Sequence, residues 1–479
     1  MNHSIIRYIL CRVLEFAGLF MLLPYLVGVL CQEPQRFAYL FVAALSLLAG
    51  FVGKCFKPKS KVFYAREGFV TVSLAWLLLS LVGAVPFVLT REIPFYVDAV
   101  FETVSGLTTT GGTILTDVEG LARCTQFWRL FTHWIGGMGV LVLILAVLPL
   151  SGSYNMHLMR AESPGPIVGK LVPKVKNTAR ILYQIYIAIT LLEIILLMVT
   201  GLPLYDSATL TFSTVGTGGF GLLNSSAASY SRAAQSVILI FMLLCGISFN
   251  IYYLFLIKKP KEVLHSEELR VYLGIAAVST LLIGINIKDS FSSMGESFFQ
   301  AGFQVVSVMT TTGFTTSDFN LWPSFSKMLL FLLMIVGACA GSTGGGLKVS
   351  RLVVLMKSIK NEISAAVHPR SIKKMHMDGR VVSGNVVHSI RVYLAIYVVI
   401  YFLSVLLVSV DNFSFETNAS AVMAMFNNIG PGFDMVGPAG SFAAFSPFSK
   451  CVLMFDMLAG RLELLPLLVL FSLKTWKNR

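Results

Sequence analysis

Phe101-Glu102-Thr103-Val104-Ser105-Gly106-Leu107-Thr108-Thr109-Thr110-Gly111 is a short, largely apolar segment that stops at a glycine. A membrane-length apolar stretch precedes it and another comes after it. The same plan recurs with stops at Val215-Gly216-Thr217-Gly218, Thr310-Thr311-Thr312-Gly313 and Ile429-Gly430-Pro431-Gly432, roughly every hundred residues. Helix, half-helix, glycine loop, helix is the plan of a pore-loop cation channel, written four times in one polypeptide.

The surrounding composition sets the solvent. Of 479 residues 56% are hydrophobic and 13% charged, with a mean hydropathy of +0.77. Uninterrupted apolar stretches are long enough to cross a hydrocarbon core of roughly 30 Å. In lipid each backbone polar group needs an internal partner, so these stretches are helices. The chain reads as an all-α polytopic membrane protein.

The net charge of +13 does not point to nucleic acid, because the basic residues are segregated. They cluster at Lys54–Arg66, Arg160–Arg180, Lys258–Arg270, Lys348–Arg391 and Lys474–Arg479. The intervening loops hold few, such as Arg36, Arg91, Arg123, Arg232 and Lys288. The positive-inside rule puts the clusters, and both termini, in the cytoplasm. Seven cysteines are scattered without a C-x-x-C, and most read as small buried hydrophobes. The first apolar stretch is too long for a signal-peptide core and is expected to be retained.

The expected layout is two leading helices with a basic link (1–66), then repeat one (67–177), repeat two (178–265), repeat three (266–383) and repeat four (384–479). Ten full spans and four half-helices result, with second helices near 125–149, 232–257, 326–357 and 449–473. All repeats begin and end on the cytoplasmic side. Inverted-repeat transporters need opposed halves, whereas four parallel repeats favour a pseudo-fourfold axis along the membrane normal, with a pore on it.

Each half-helix dips in from outside, so its C-terminus, about half a negative charge, points toward the bilayer midplane. Threonines favour extended backbone. Glycine supplies φ values that turn carbonyls to the axis and lets four chains approach closely. Rings of carbonyls can then replace an ion's hydration shell. One isolated T-T-T-G would be an ordinary helix break or small-residue contact; four, each between a half-helix and a full span, make a filter the stronger reading.

Two further features bear on a gate. Gly341-Ser342-Thr343-Gly344-Gly345-Gly346 has four glycines in six residues, each costing about 1 kcal/mol in a helix interior. The helix should unwind there, where irregular backbone is tolerated only inside protein or beside a water-filled cavity. Arg461 sits half-way along the last span, where a charge costs roughly 2.5–3.5 kcal/mol. Carbonyls of the 341–346 stretch or Glu463 are its candidate partners, and a structural ion pair is its simpler role. Lys348 either joins it or snorkels to the inner interface. Glu102 either hydrogen-bonds backbone behind the first loop or lends it negative potential. Asp434 is expected at the outer mouth, concentrating cations. Glu193 is an intramembrane acid of unknown partner.

Phe101–Gly111, together with Trp134-Ile135-Gly136-Gly137-Met138-Gly139, Gly341–Lys348, Asn427-Asn428-Ile429-Gly430-Pro431-Gly432 and Gly460-Arg461-Leu462-Glu463, resembles the Trk/Ktr/HKT superfamily of potassium transporters. The two leading helices are similar to its bacterial Trk-type membrane subunit. The resemblance implies K⁺ uptake across the bacterial inner membrane, with Gly111, Gly218, Gly313 and Gly432 as filter glycines. Thr109, Thr110, Gly216, Thr217, Thr311, Thr312, Gly430 and Pro431 complete the expected filter. On that reading K⁺ is held by carbonyls of Thr109, Thr110, Val215, Gly216, Thr311, Thr312, Ile429 and Gly430. The resemblance also makes 341–346 the gating loop, with Lys348 and Arg461 beside it. It implies a homodimer docked on a cytosolic ring of nucleotide-binding (RCK/KTN-type) subunits, in contact with membrane lipid. K⁺ is then the transported ion, and no cofactor is expected.

A K⁺/H⁺ or K⁺/Na⁺ coupled secondary transporter is the alternative. An enzyme finds no support: no H-E-x-x-H and no nucleophile-elbow context occurs.

Overall fold

The computed structural model describes residues 1–56, 64–139, 175–368 and 374–476. Two leading helices, α1 (His3–Leu30) and α2 (Arg36–Cys55), form a hairpin packed on repeat one. Repeat one comprises α3 (Ala65–Leu89), the half-helix α4 (Tyr96–Leu107) and α5 (Arg123–Gly137). The rest of the expected 125–149 span lies outside the described residues. Repeat two has α6 (Val175–Val199), the half-helix α7 (Leu204–Gly216), then α8 (Arg232–Cys245), α9 (Phe249–Leu256) and the short α10 (Pro260–His265).

Repeat three has α11 (Glu267–Asn286), the half-helix α12 (Met294–Met309), α13 (Ser324–Val336) and α14 (Val349–Val367). A two-stranded hairpin, β1 (His376–Met377) and β2 (Arg380–Val381), turns at Asp378-Gly379 with both residues at positive φ. Repeat four has α15 (Gly384–Val408), the half-helix α16 (Phe415–Phe426), α17 (Pro447–Arg461), α18 (Leu465–Phe471) and the last turn α19 (Leu473–Trp476).

The all-α, polytopic expectation holds. His3–Leu30, Arg36–Cys55, Arg66–Leu89, Ala179–Val199, Glu267–Asn286 and Gly384–Asp411 are each long and apolar enough to cross a membrane. Their outward faces carry exposed Phe37, Phe41, Leu48, Phe51, Val399, Phe402 and Leu406, the surface that lipid would solvate.

Of the ten expected full spans only the second helix of repeat three is expected to unwind part-way, and the structure interrupts two more. In repeats two, three and four the second helix is broken. α8 and α9 meet at 88° across Gly246-Ile247-Ser248. α13 and α14 are separated by residues 337–348, a longer break than the six glycine-rich residues suggest. α17 and α18 part at 462–464, where Glu463 and Leu464 take left-handed φ of 58° and 62° and Pro466 opens the next helix.

Glycines set the helix separations around the half-helices. A Cβ on Gly216, at the end of α7, would lie 2.5 Å from the His133 carbonyl oxygen of α5, and one on Gly137 2.8 Å from Gly216 Cα. Backbone there cannot yield as a side-chain tip can. Gly216→Ala is therefore expected to cost about 1–3 kcal/mol through overpacking. Thermal unfolding in detergent should register it as a lowered midpoint; an unchanged midpoint would mean that α5 and α7 are not in contact there.

Candidate functional site

The four half-helices end in the same C-terminal cap. The N–H groups of Thr110, Gly218, Thr312 and Ile429 reach back to the carbonyls of Ser105, Ser213, Ser307 and Ala424 at 2.8, 2.8, 2.9 and 2.8 Å. The N–H of the preceding residue (Thr109, Thr217, Thr311, Asn428) bonds to Gly106, Thr214, Val308 and Met425. These paired bonds define a Schellman motif, which requires a left-handed residue. That residue is Thr109, Thr217, Thr311 or Asn428, with φ of 55°, 54°, 56° and 57°. A β-branched residue is strained there. In loops one and two the hydroxyl compensates by donating to the preceding carbonyl at 2.7 Å.

The cap fixes the register of each loop. Two residues after the left-handed position lie Gly111, Gly219, Gly313 and Gly430, with φ of 81°, 80°, 84° and 100°. This corrects the expected set in two loops: Gly219, not Gly218, is the equivalent of Gly111, and Gly430, not Gly432. Gly432 lacks a positive φ and packs outward, its N–H bonded to the Val436 carbonyl at 2.7 Å. Val215 and Gly216 fall in the last turn of α7, so their carbonyls do not match those of Thr109 and Thr110. The difference has a physical source. Spacing in the sequence leads to the most conspicuous glycine of each loop, whereas the register is set by where the helix caps.

The four glycines close a ring. A Cβ on Gly111 would strike the Gly218 carbonyl oxygen, and one on Gly219 that of Thr312. One on Gly313 would strike the Ile429 oxygen, and one on Gly430 would lie 2.7 Å from the Thr110 oxygen. Each glycine thus seats the carbonyl of the next loop, in the order one, two, three, four, one. All four also line a single cavity of about 190 Å³ above the loops, with Gly112, Thr113, Phe220, Asn224 and Pro431 in its wall. Pro431 additionally packs its Cδ 2.9 Å from where a Gly313 side chain would start.

Below the ring lies the 337–348 segment. Gly345 N–H donates to Thr311 Oγ1 at 2.6 Å, and a Cβ on Gly344 would sit 2.8 Å from the Thr310 carbonyl oxygen. One on Gly345 would collide with the Asn427 carbonyl. Gly341 and Gly346 take positive φ, Gly341 accepts from Phe249 N–H, and Ser342 and Thr343 hydroxyls bond to Cys339 and Cys245 carbonyls. The segment is therefore packed under loops three and four.

Arg461 spans the remaining side. Its Nη1 donates to the Thr343 carbonyl at 2.8 Å and to Thr109 Oγ1 at 3.3 Å. Its Nη2 donates to the Gly136 carbonyl and, at 2.7 Å, to the Gly137 carbonyl. One guanidinium thus ties loop one, the end of α5 and the 337–348 segment. Glu463, the other candidate partner, pairs instead with Arg351. Lys348 is buried and donates to the Gly344 carbonyl, so it turns back to the segment and does not snorkel.

The acids divide by environment. Glu102 is buried, accepts from Thr113 Oγ1 at 2.9 Å and Ile114 N–H at 3.0 Å, and pairs with Arg129 at 2.5 Å. These bonds support the backbone behind loop one. Arg129 escapes a reading of the sequence, although an arginine within a helix expected to span the membrane is the signal that could have found it. It also stacks over Phe220 at 3.6 Å and donates to the Gly221 carbonyl, joining loops one and two. His133 bonds to Ser213 Oγ at 2.9 Å and stacks on Phe220 behind Gly218.

Asp434 is outside the cavity wall. Its carboxylate accepts from the Ser414 and Thr417 hydroxyls at 2.5 and 2.7 Å, at the start of α16, and these bonds hold it below the usual carboxylate range. Glu193 is fully buried on α6 beside Thr214.

A ring of backbone carbonyls at the meeting point of four membrane half-helices is the architecture of an ion-transporting membrane protein. The chain belongs to the TrkH family of cation transport proteins, whose family model matches residues 34–478. It is 35% identical to the Trk system potassium uptake protein TrkH of Salmonella typhimurium over 99% of both chains. It is 31% identical to the Trk system potassium uptake protein TrkG of Escherichia coli K12 over the whole of both. The crystal structure of the potassium transporter TrkH from Vibrio parahaemolyticus superposes with a TM-score of 0.89, at 30% identity and full coverage of both chains.

The two buried or bonded acids make testable contributions to stability. Glu102→Ala strands a buried guanidinium and should cost about 3–5 kcal/mol, part of which Glu102→Ala/Arg129→Met recovers; equal midpoints for both variants by thermal unfolding would refute the pairing. For Asp434 the folded pKa lies below the unfolded one, so its link stabilises above about pH 4 and is lost as pH falls. Asp434→Asn should lower the unfolding midpoint at pH 7, with the gap narrowing toward about pH 3; a gap independent of pH would contradict the assignment.

Proposed function

We propose that this chain mediates K⁺ uptake through a channel-like path whose selectivity filter is the ring formed around Gly111, Gly219, Gly313 and Gly430. The observation that carries the reading is that these four glycines share one cap-defined register and line one cavity. Carbonyls of Thr110, Gly218, Thr312 and Ile429 are the natural ion ligands, replacing part of the hydration shell. Four helix C-termini behind them add negative potential. Each loop offers a single short extended step, so K⁺ is preferred over Na⁺ by few carbonyl rings.

The 337–348 segment is the gate on this reading. Its contacts with Thr310, Thr311 and Asn427, and the reach of Arg461 from Thr343 to Thr109, occupy the space beneath three of the four loops. Arg461 and Lys348 add positive charge where a cation would leave the ring. Opening requires the segment to withdraw with these cations.

The further reading is of a multi-pass protein of the bacterial inner membrane with cytoplasmic termini. It works as a homodimer and is gated by a cytosolic nucleotide-binding ring docked on the basic segments near Lys357–Arg380. The relatives are named as proteins of a Trk system, which supports a partner. The coupled alternative rests on Glu193, an acid buried at membrane depth; a flux that follows the K⁺ gradient alone at every pH excludes it.

The test is K⁺ and Na⁺ flux into liposomes. Gly219→Ser, Gly313→Ser and Gly430→Ser should each lose K⁺ over Na⁺ preference by about tenfold, equivalent to about 1.4 kcal/mol of relative ion binding. Gly432→Ala should keep the preference. If Gly432→Ala loses it while Gly430→Ser does not, the register is wrong; if none changes it, the ring is not the filter.

A further inference from the structure

The 337–348 segment is held from two sides. On the side of the ring lie Arg461 and Lys348, on the Thr343 and Gly344 carbonyls. On the far side lies an acid with no assigned role. Glu268, in the first turn of α11, accepts at one carboxylate oxygen from Ala340 N–H at 2.6 Å and from Ser350 N–H at 3.0 Å. Ala340 belongs to the descending arm of the segment and Ser350 to the first turn of α14, just past its other end. One side-chain oxygen therefore ties both ends of the segment together and to the first helix of the same repeat.

The N–H groups at the start of α14 have no helical partner of their own, and a carboxylate there is favoured by the helix dipole. Ala340 N–H, in irregular and half-buried backbone, likewise needs an acceptor. Removing the carboxylate leaves both donors unpaired in the observed arrangement and no longer penalises an alternative one. The flank is reinforced by the break in repeat two, where Cys339 N–H donates to the Gly246 carbonyl at 3.0 Å and Phe249 N–H to the Gly341 carbonyl at 2.9 Å.

Glu268 is itself positioned from the side of the hairpin. The N–H of Glu267 donates to Asp378 Oδ1 of the β1–β2 turn at 2.7 Å, while the Glu267 carboxylate pairs with Lys357 of α14. Lys357 also donates to the His376 carbonyl at 2.8 Å. Hairpin, start of α11 and 337–348 segment are thus one hydrogen-bonded chain.

We propose that Glu268 is a positioning residue for gating: its carboxylate clamps the two ends of the 337–348 segment and holds the segment beneath the ring. The proposal rests on the reading of that segment as the gate. Arg461 then acts on the crest of the segment and Glu268 on its base, and release of either favours withdrawal.

The test uses the full-length protein in liposomes without any partner, with wild type, Glu268→Ala, Glu268→Gln and Arg461→Ala side by side. K⁺ flux is read together with the labelling rate of Cys339, which is fully buried in the segment. A water-soluble methanethiosulfonate is the probe, and its addition at Cys339 is quantified by peptide mass. Glu268→Ala should raise both flux and labelling by about tenfold, the scale of a modest shift between two states. Glu268→Gln, which keeps an acceptor oxygen without the charge, should fall between, and the K⁺/Na⁺ ratio should not change in either.

A merely structural glutamate would not accelerate both readouts while sparing the ratio. If Glu268→Ala elutes as the wild type yet shows unchanged or lowered flux and labelling, while Arg461→Ala raises flux, the clamp is refuted and the gate stands. Faster labelling with unchanged flux in both variants overturns the gate reading itself, since the segment would move without opening a path. Should Glu268→Ala not fold, Glu268→Gln carries the same comparison.

Discussion

Four half-helices that stop inside a membrane leave carbonyl and N–H groups that water cannot reach, and the way those groups are satisfied organises the rest of the molecule. Each half-helix solves the problem with the same pair of backbone bonds, and that pair demands a left-handed residue. The left-handed residue turns the chain out of the helix axis. The glycine two positions later then presents a face without a side chain to its neighbour. Four such faces, each receiving the carbonyl of the next loop, make a closed ring from a single polypeptide. Strain at Thr109, Thr217 and Thr311 is stored where sparsely populated backbone commonly marks function.

The same constraint explains why buried charge surrounds the ring without entering it. Glu102 satisfies the Thr113 hydroxyl and Ile114 N–H of loop one, and Arg129 both neutralises Glu102 and reaches loop two. Arg461 and Lys348 satisfy carbonyls of irregular backbone below it. A cation in hydrocarbon is costly, but one that pairs otherwise free carbonyls is retained. The second helices of repeats two, three and four are broken at the level of these contacts, so the inner half of the protein is built from short pieces joined by hydrogen bonds. Pieces of that kind can rearrange without unfolding a span.

Much of this is legible in the sequence. Length and apolarity mark the outer helices, and the recurring glycine stops mark four re-entrant segments. The glycine run at 341–346 marks the largest break, and Arg461 stands out as an isolated charge in an apolar helix. Register is what escapes. Val215-Gly216-Thr217-Gly218 and Ile429-Gly430-Pro431-Gly432 offer several glycines each, and spacing alone does not say which residue caps the helix; Asn428 in place of threonine hides the equivalence further. The breaks at 246–248 and 462–464 are also hidden, because the glycine and proline beside them, Gly246 and Pro466, are residues that intact spans tolerate too, as α3 does Gly83 and Pro86. Partners distant in sequence, such as Glu102 with Arg129 or Arg461 with Gly136 and Gly137, depend on the ring and cannot be read before it.

The most direct measurement is the position of a heavy K⁺ substitute in a crystal of the protein. With Rb⁺ in place of K⁺, anomalous scattering should give a peak on the axis, ringed by the carbonyl oxygens of Thr110, Gly218, Thr312 and Ile429, that weakens when Rb⁺ is exchanged for Na⁺. A peak bound elsewhere with that ring empty, or one coordinated by Gly432 and the last turn of α7, would contradict the assignment of the ring as the filter.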